Sequence, residues 1–337
     1  MIPIYIDSKV ESSVSSYAAE MQDTKIIIDL WHFYNEMSSK LDFNKLTNSE
    51  KVEEENIISR CREYTKEVIN HYDELLILKS EAFNIYNNKY FSIIFNQKYT
   101  EDVFFGHKIV YGSGANSCKS FYEHLVKCMG YSKARGCMLK YVKDMDIRVC
   151  PYCNVASAET YQDDDKWIGR YHLDHYLDKH KHPFLGVSFF NLVPSCSSCN
   201  GHKSDDPIKF YLYSKEPPKS PFRFHFFGIV HYLINGESDK IIIHFEQDNL
   251  FQKQYNQVFD IEMLYNEHKD DLTEVLDRYY HEFGEDRAVL KQSFLKLPFD
   301  DERKTRNVLG KYLNDADIHK KSFVKMKLDL GRYLKLI

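Results

Sequence analysis

The sequence lacks any run of eighteen apolar residues, so it predicts no helix that could span a membrane. Its first residues also lack a basic stretch followed by an apolar stretch, the pattern of a secretory signal peptide. These two absences lead us to expect a cytoplasmic protein without membrane association. Disulfide bonds are disfavoured in that compartment, so closely spaced cysteines are expected to bind a metal ion instead.

The sequence also lacks an excess of positive charge. It has 45 lysine and arginine residues and 50 acidic residues, and its formal net charge is −5. Proteins that coat nucleic acid indiscriminately are usually basic, so this balance counts mildly against that class. Internal repeats and low-complexity tracts are absent, whereas tyrosine (25) and phenylalanine (23) are plentiful. The 337 residues therefore suffice for a substantial core and for two or three domains.

Four of the eight cysteines form two C-x-x-C pairs. The first pair is Cys150 and Cys153, and the second is Cys196 and Cys199. Two such pairs are typical of a structural Zn²⁺ site, which has no open coordination position and is therefore not expected to be catalytic. A redox pair, an iron–sulfur site and unmetallated thiols are the alternatives. Two pairs without a βαβ context favour zinc over the redox pair.

The stretch between the cysteine pairs predicts two strands and a helix. Residues 170–176 alternate in polarity as a short strand does, and residues 177–190 form a long loop. A returning strand is predicted from Asn191, and a helix from Cys199 onward. In such a strand–strand–helix unit, the end of the first strand lies against the start of the helix.

This unit would bring Asp174, His175 and Asn200 together. A hard cation such as Mg²⁺ prefers oxygen ligands and retains several waters, and Asp174 and Asn200 would supply two oxygens. A neutral His175 could accept a proton from an attacking water. These are the components of single-metal phosphodiester hydrolysis. An Asp174→Ala substitution is then expected to remove activity and to leave stability nearly unchanged.

These residues resemble the HNH endonucleases, a family with a zinc-stapled ββα-metal fold. The matching residues are Leu173-Asp174-His175, Asn191-Leu192-Val193-Pro194 and Cys196-Ser197-Ser198-Cys199-Asn200-Gly201-His202-Lys203. The resemblance implies that His175 is the general base, that Asp174 and Asn200 bind catalytic Mg²⁺ or Mn²⁺, and that Asn191 holds the loop and orients His175. Because the last position is Asn200, the chain would be an HNN variant, with His202 as the alternative source of the missing imidazole.

Other polar residues of the stretch receive weaker assignments. Lys203 either contacts a phosphate or is an ordinary lysine in the first turn of the helix. His172, His180 and His182 are interpreted as solvated or packed residues without a direct role.

A closer resemblance is to the PtuB-type nucleases of Septu and of some retron antiphage systems. The residues that carry it are Cys150-Pro151-Tyr152-Cys153-Asn154, Leu173-Asp174-His175-Tyr176-Leu177, Pro183-Phe184-Leu185, Asn191-Leu192-Val193-Pro194-Ser195-Cys196 and Tyr265-Asn266-Glu267-His268. This resemblance implies a DNA substrate, an ATPase partner of the ABC/SMC type and a role in defence against phage. An RNA-cleaving toxin that acts on tRNA would use the same chemistry. A zinc-dependent module that binds nucleic acid or a protein without cutting is the non-enzymatic alternative.

The flanking segments predict an α+β protein that is mainly helical. Residues 1–145 are predicted to be a helical partner or scaffold region without candidate chemistry, with helices over about 48–80 and 119–140. The apolar run from Ile26 to near Met37 could be a helix or a buried strand, and its polar neighbours favour a helix. Residues 146–212 would be the nuclease core with its zinc. In residues 213–337 we predict a hairpin over 222–246 that turns at Asn235-Gly236, a helix over 261–283, and one or two further helices over 285–330.

Overall fold

The computed structural model describes residues 3–95, 100–114, 117–204, 208, 212–216, 220–283 and 301–337. Within these ranges the chain is an α+β protein built mainly of helices with small sheets of two or three strands, which confirms the coarse fold class. None of the helices in the described ranges is both long and apolar enough to cross a membrane.

The first segment contains eight described helices and one three-stranded sheet, in which β3 lies between β2 and β4. Its elements are β1 (Ile4–Tyr5), α1 (Ser8–Met21), α2 (Thr24–Glu36), β2 (Ser38–Ser39), α3 (Asn48–Asn70), α4 (Tyr72–Leu76), α5 (Phe83–Phe95), α6 (Glu101–Gly106), β3 (Lys108–Val110), β4 (Cys118–Ser120), α7 (Phe121–Cys128) and α8 (Tyr131–Asp144). Helix α3 begins at a capping box, in which the side chains of Thr47 and Glu50 each accept the other residue's backbone N–H.

Two predicted helices of this segment are each divided in the structure. Helix α3 ends at Asn70 because His71 leaves the helical conformation, and α4 follows as a separate helix. The helix predicted over about 119–140 is interrupted at Gly130, which adopts a φ of +84°. A Cβ at this position would lie 2.6 Å from the Ile26 Cδ1 atom, so both the backbone conformation and the close packing favour glycine.

The central segment contains the predicted order of strand, loop, strand and helix. Its elements are β5 (Thr160–Asp163), β6 (Lys166–Gly169), β7 (His172–His175), β8 (Leu192–Ser195) and α9 (Ser197–Lys203). Strands β7 and β8 pair antiparallel, with His172 opposite Ser195 and His175 opposite Leu192. Helix α9 begins earlier than predicted because Cys196 caps it: the Cys196 Sγ accepts the Cys199 N–H at 3.4 Å.

The last segment contains the predicted strand pair, but its turn is different. Its elements are β9 (Tyr213–Ser214), β10 (Phe224–Phe227), α10 (Ile229–Asn235), β11 (Ile242–Phe245), α11 (Leu250–Phe259), α12 (Ile261–Asn266), α13 (Lys269–Phe283), α14 (Asp301–Leu309) and α15 (Val324–Tyr333). Strands β10 and β11 pair antiparallel, but helix α10 lies between them, and Gly236 ends this helix instead of forming a hairpin turn. The helix predicted over 261–283 is α12 followed by α13. The helices predicted over 285–330 fall partly on residues 285–300, which lie outside the described residues.

The three predicted segments contribute buried hydrophobic side chains to one contiguous core. Strand β1 of the first segment pairs in parallel with β9 of the last. The Tyr17 hydroxyl of α1 donates a hydrogen bond to the Val187 carbonyl at 2.6 Å. The flanking helices therefore pack directly against the loop between β7 and β8, which is where the candidate site lies.

Candidate active site and metal centre

The four cysteines of the two C-x-x-C pairs meet at one point. Their Sγ atoms all lie within 4.8 Å of one another, and among the described residues theirs is the one group of three or more histidine, cysteine or acidic side chains close enough to hold a metal ion. A tetrahedral zinc ion bound by sulfur at about 2.3 Å needs sulfurs about 3.8 Å apart. The cluster therefore has the donor set and the approximate size of a Cys₄ metal site.

The surroundings of the cluster favour the thiolate form at two of the four cysteines, Cys153 and Cys196. Burial raises the pKa of Cys150, and hydrogen bonds with the other three cysteines raise the pKa of Cys199. Hydrogen bonds from the Cys150 thiol, and then from Cys196 and Cys199, hold the pKa of Cys153 well below its usual range. Such bonds also lower the pKa of Cys196. The Val155 backbone N–H points at the Cys153 sulfur, 3.4 Å away. A thiolate is the form that binds metal, so these contacts suit a zinc ligand set.

The first cysteine pair is fixed by the last segment of the chain. The hydroxyls of Tyr255 and Tyr265 donate hydrogen bonds to the carbonyls of Tyr152 (2.6 Å) and Cys153 (2.9 Å). Asn154, which follows Cys153, is 1% exposed and adopts a φ of +57°. Its side chain donates to the Ile318 carbonyl at 2.6 Å and accepts the Lys325 N–H at 3.0 Å. The geometry of the cysteine loop and the packing of the last segment thus depend on each other.

Beside the cysteine cluster lies a cavity of about 610 Å³, within the size range of ligand sites. Strand β7, helix α9, helix α8 and the loop after β7 contribute to it. Its lining residues are Tyr131, Arg135, His172, Leu173, Asp174, His175, Asp178, Lys179, Asn200, Gly201 and Ser204. The three residues predicted to converge, Asp174, His175 and Asn200, are therefore brought to one cavity.

Asp174 is held by two neighbours inside the protein. The Tyr152 hydroxyl donates to its Oδ2 atom at 2.6 Å, and the Lys203 Nζ atom lies 3.2 Å from Oδ2 and 3.5 Å from Oδ1. Asp174 is 6% exposed and Lys203 is 1% exposed. Burial raises the pKa of the Asp174 carboxyl, and the Lys203 ammonium opposes that shift.

Lys203 differs from both of its predicted roles. It lies in the last turn of α9, not the first, and it is buried, so it is not placed to contact a phosphate at the surface. Its Nζ atom also donates to the His175 carbonyl at 2.8 Å. Lys203 therefore joins the helix to the strand that carries Asp174 and His175.

The buried pair of Asp174 and Lys203 revises the expected effect of removing the carboxylate. We now expect Asp174→Asn to lower the free energy of unfolding by about 3–5 kcal/mol, because it leaves a buried lysine charge without a partner. Urea unfolding of the purified variant would measure this. Adding Lys203→Met should recover much of the loss, since the unpaired charge is then removed. An Asp174→Asn protein as stable as the wild type would contradict a stabilising ion pair between Asp174 and Lys203.

His175 is held as a neutral imidazole. Its Nε2 atom donates to the Gly186 carbonyl at 2.9 Å, and its ring centroid lies 5.2 Å from that of Tyr131. Burial, followed by the positive charge of Lys179, lowers the pKa of His175 to about 3. Among the described residues Nδ1 makes no hydrogen bond, and it is not a buried unpaired atom. A proton on Nε2 leaves Nδ1 with a lone pair that can accept a proton.

Asn191 holds the loop between β7 and β8 and is fully buried. Its Oδ1 atom accepts the Leu177 N–H at 2.8 Å, and its Nδ2 atom donates to the carbonyls of Leu177 and Leu185, each at 3.1 Å. Leu185 precedes Gly186, whose carbonyl accepts the His175 proton. The side chain of Asn191 therefore holds the Leu185 carbonyl, in the peptide next to the one whose carbonyl accepts the His175 proton.

Asn200 and His202 lie on different faces of α9, because residues two apart on a helix are separated by about 200°. Asn200 lines the cavity, where its Nδ2 atom lies 3.2 Å from the His172 Nδ1 atom. His202 is exposed and is not among the residues that line the cavity. Asn200 thus has the better position to act with Asp174.

The predicted hard-cation site can be compared with the donor atoms that line the cavity. Asp174 and Asn200 offer one carboxylate oxygen and one amide oxygen, and the Asn200 amide oxygen is not used in the contact with His172. Mg²⁺ is commonly bound by one or two carboxylates together with waters and substrate phosphates. The donor set is compatible with Mg²⁺ or Mn²⁺ and different in kind from the four sulfurs nearby.

Several residues that line this cavity were not among the predicted site residues. Tyr131 and Arg135 come from α8, in the segment for which no candidate chemistry was predicted. Nothing in the sequence indicates their role, since they are one helical turn apart and distant along the chain from the motif. His172 was interpreted as solvated or packed, but strand alternation places it on the same face as Asp174.

Comparison of the chain with protein-family models, with curated proteins and with solved structures finds no match.

Proposed function

We propose that this protein is a metal-dependent endonuclease of the HNH type that hydrolyses phosphodiester bonds of DNA. One observation supports the proposal above the others: Asp174, Asn200 and a neutral His175 with a free Nδ1 atom line a single cavity. This cavity lies on a strand–strand–helix unit joined to a four-cysteine cluster. The combination supplies a proton acceptor beside oxygen ligands for a metal ion.

In this proposal His175 Nδ1 accepts a proton from the water that attacks the phosphorus atom. The Gly186 carbonyl keeps the Nε2 proton in place, and Asn191 holds the loop through the Leu177 backbone and the Leu185 carbonyl, which precedes Gly186. Asp174 and Asn200 would hold Mg²⁺ or Mn²⁺, which stabilises the charge that develops on the phosphate and on the leaving 3′ oxygen. Lys203 opposes the rise that burial causes in the pKa of Asp174, and it fixes the direction of the carboxylate.

The four cysteines would hold a structural Zn²⁺ ion. All four coordination positions are occupied by sulfur in such a site, so this zinc would not bind substrate or water. By resemblance to the PtuB-type nucleases, the proposal includes an ATPase partner of the ABC/SMC type and a role in antiphage defence. The net charge of −5 fits a nuclease whose partner delivers the DNA.

A zinc-dependent module that binds nucleic acid or a protein without cutting it is the second candidate. The ion pair between Asp174 and Lys203 favours it, because a carboxylate already neutralised by a buried lysine attracts a metal ion less strongly. The free Nδ1 atom of His175 favours the enzyme, because a binding module has no need for a buried proton acceptor. Cleavage assays separate the two.

Supercoiled plasmid incubated with the purified protein and Mg²⁺ or Mn²⁺ is expected to be nicked or linearised. Excess EDTA should stop the reaction, since an ion held by only two protein oxygens would exchange readily. tRNA serves as the parallel substrate. Cleavage of tRNA alone would favour the RNA-cleaving toxin. Absence of cleavage of either substrate with both metals, alone and with the copurified partner, would count against the enzyme and favour the binding module.

A further inference from the structure

Helix α8 forms a second wall of the cavity, opposite the residues predicted from the motif. Its first residue, Tyr131, packs against His175, and Arg135 follows one turn later on the same side. Lys179, from the loop after β7, places its Nζ atom 5.0 Å from the centre of the Tyr131 ring. Two cationic side chains therefore lie at the rim of the cavity that contains the proposed general base.

The two cations have no carboxylate partner among the described residues. Neither Arg135 nor Lys179 takes part in an ion pair there, although most other lysines and arginines of α8 do. Asp174 is already paired with the buried Lys203 and cannot balance them. Asp178 also lines the cavity, and it is the only remaining carboxylate there. The rim thus carries the exposed charge of Arg135 and the half-buried charge of Lys179, in a chain whose net charge is −5.

The wall itself is firmly attached to the rest of the protein. Lys133 forms an ion pair with Asp23 at 2.6 Å, and the Tyr141 hydroxyl donates to the Glu20 carboxylate at 2.5 Å. Two residues of α8, Ala134 and Met138, are fully buried on the inner face of the helix. Arg135 therefore lies on a helix that is held in place by these contacts. Binding of a ligand at Arg135 would require little ordering of the backbone.

We propose that Arg135 and Lys179 bind backbone phosphates of a polynucleotide on either side of the phosphate attacked in the cavity. The inference rests on the proposed function and deepens it: the ligand is a polyanionic nucleic-acid backbone, and helix α8 is part of the substrate site. The guanidinium of Arg135 can bind a phosphate in a bidentate manner, and Lys179 acts as a point charge. Contacts of this kind position the backbone without reading its sequence.

The test measures binding separately from cleavage. The parent is the full chain with His175→Ala, and fluorescence anisotropy follows a labelled DNA duplex in Mg²⁺ over a range of salt concentrations. Arg135→Ala and Lys179→Ala are each expected to weaken binding roughly five- to tenfold near 0.1 M salt, and to reduce the slope of log K against log salt by about 0.9. The double variant should lose about twice that slope.

Two variants of α8 serve as controls. Lys143→Ala removes an exposed lysine of the same helix that does not line the cavity, so its affinity and salt slope should equal those of the parent. Arg135→Lys keeps the charge and should keep most of the slope. Arg135 is exposed, so thermal melting of its variants should match that of the parent.

The outcomes distinguish this inference from the proposed function. A double variant that binds DNA with the affinity and slope of Lys143→Ala would overturn the phosphate site even if the wild type cleaves DNA. A His175→Ala parent that shows no measurable binding of DNA would also overturn the phosphate site. Loss of the slope in the variants of a protein that cleaves neither DNA nor tRNA would support the phosphate site and count against the endonuclease.

Discussion

Replacing His175 by alanine is expected to reduce the rate of plasmid cleavage by a factor of about 10²–10⁴, the usual contribution of a general base. His175 is the one side chain of the candidate site with a free proton-accepting nitrogen and a second nitrogen fixed by a carbonyl group. The loss should appear in kcat, because Arg135 and Lys179, the proposed phosphate-binding residues, are unchanged. Single-turnover cleavage of a short duplex in Mg²⁺ would measure the step directly.

The control for this prediction is His202→Ala, which changes an exposed histidine of the adjacent helix α9 and should leave the rate unchanged. Because His175 is 7% exposed, alanine also creates space in the core. His175→Gln fills that space, keeps a polar group near Gly186, and should be equally inactive. Wild-type cleavage rates in both His175 variants would contradict the assignment of His175 as the general base. A lower cleavage rate in His202→Ala would indicate that His202 is the general base instead.

Local signals in the sequence were enough to predict the central unit. The cysteine pairs, the alternation around Asp174 and the position of Asn191 each depend on neighbours a few residues away. The antiparallel register of β7 and β8 then follows, because the loop between them is closed by the hydrogen bonds of Asn191 to Leu177 and Leu185. The start of α3 likewise depends on near neighbours, since Thr47 and Glu50 form its capping box.

Positions where the prediction differed from the structure depend on contacts between distant parts of the chain. Gly130 interrupts a helical pattern because α2 approaches so closely that Ile26 fills the space of a side chain. Asn235-Gly236 has the composition of a hairpin turn, but Gly236 ends helix α10 instead. The ion pair between Asp174 and Lys203, and the approach of Arg135, likewise require the folded arrangement of helices that a linear pattern does not contain.

Removing one ligand of the four-cysteine cluster is expected to have the largest effect on folding. Structural zinc contributes on the order of 10–16 kcal/mol of apparent binding free energy in zinc-finger peptides. The net stability of a typical domain is about 5–15 kcal/mol, so the two quantities are comparable. We therefore expect Cys150→Ser to be recovered without its zinc and either insoluble or with a melting temperature lower by about 10 °C or more. Metal analysis of the purified protein and thermal unfolding would measure both effects.

The loss of stability should also affect helices α11 and α12 in the last segment of the chain. Tyr255 and Tyr265 donate their hydroxyl protons to carbonyls of the first cysteine loop, so α11 and α12 should lose protection from hydrogen exchange when a chelator removes zinc from the wild type. Cys118→Ser is the matched control, because this cysteine lies outside the cluster. A Cys150→Ser protein that keeps its melting temperature and its protection pattern would show that the cluster does not hold a structural metal. Unchanged exchange in α11 and α12 on zinc removal, with unfolding elsewhere, would instead limit the effect of the metal to the strand pair and α9.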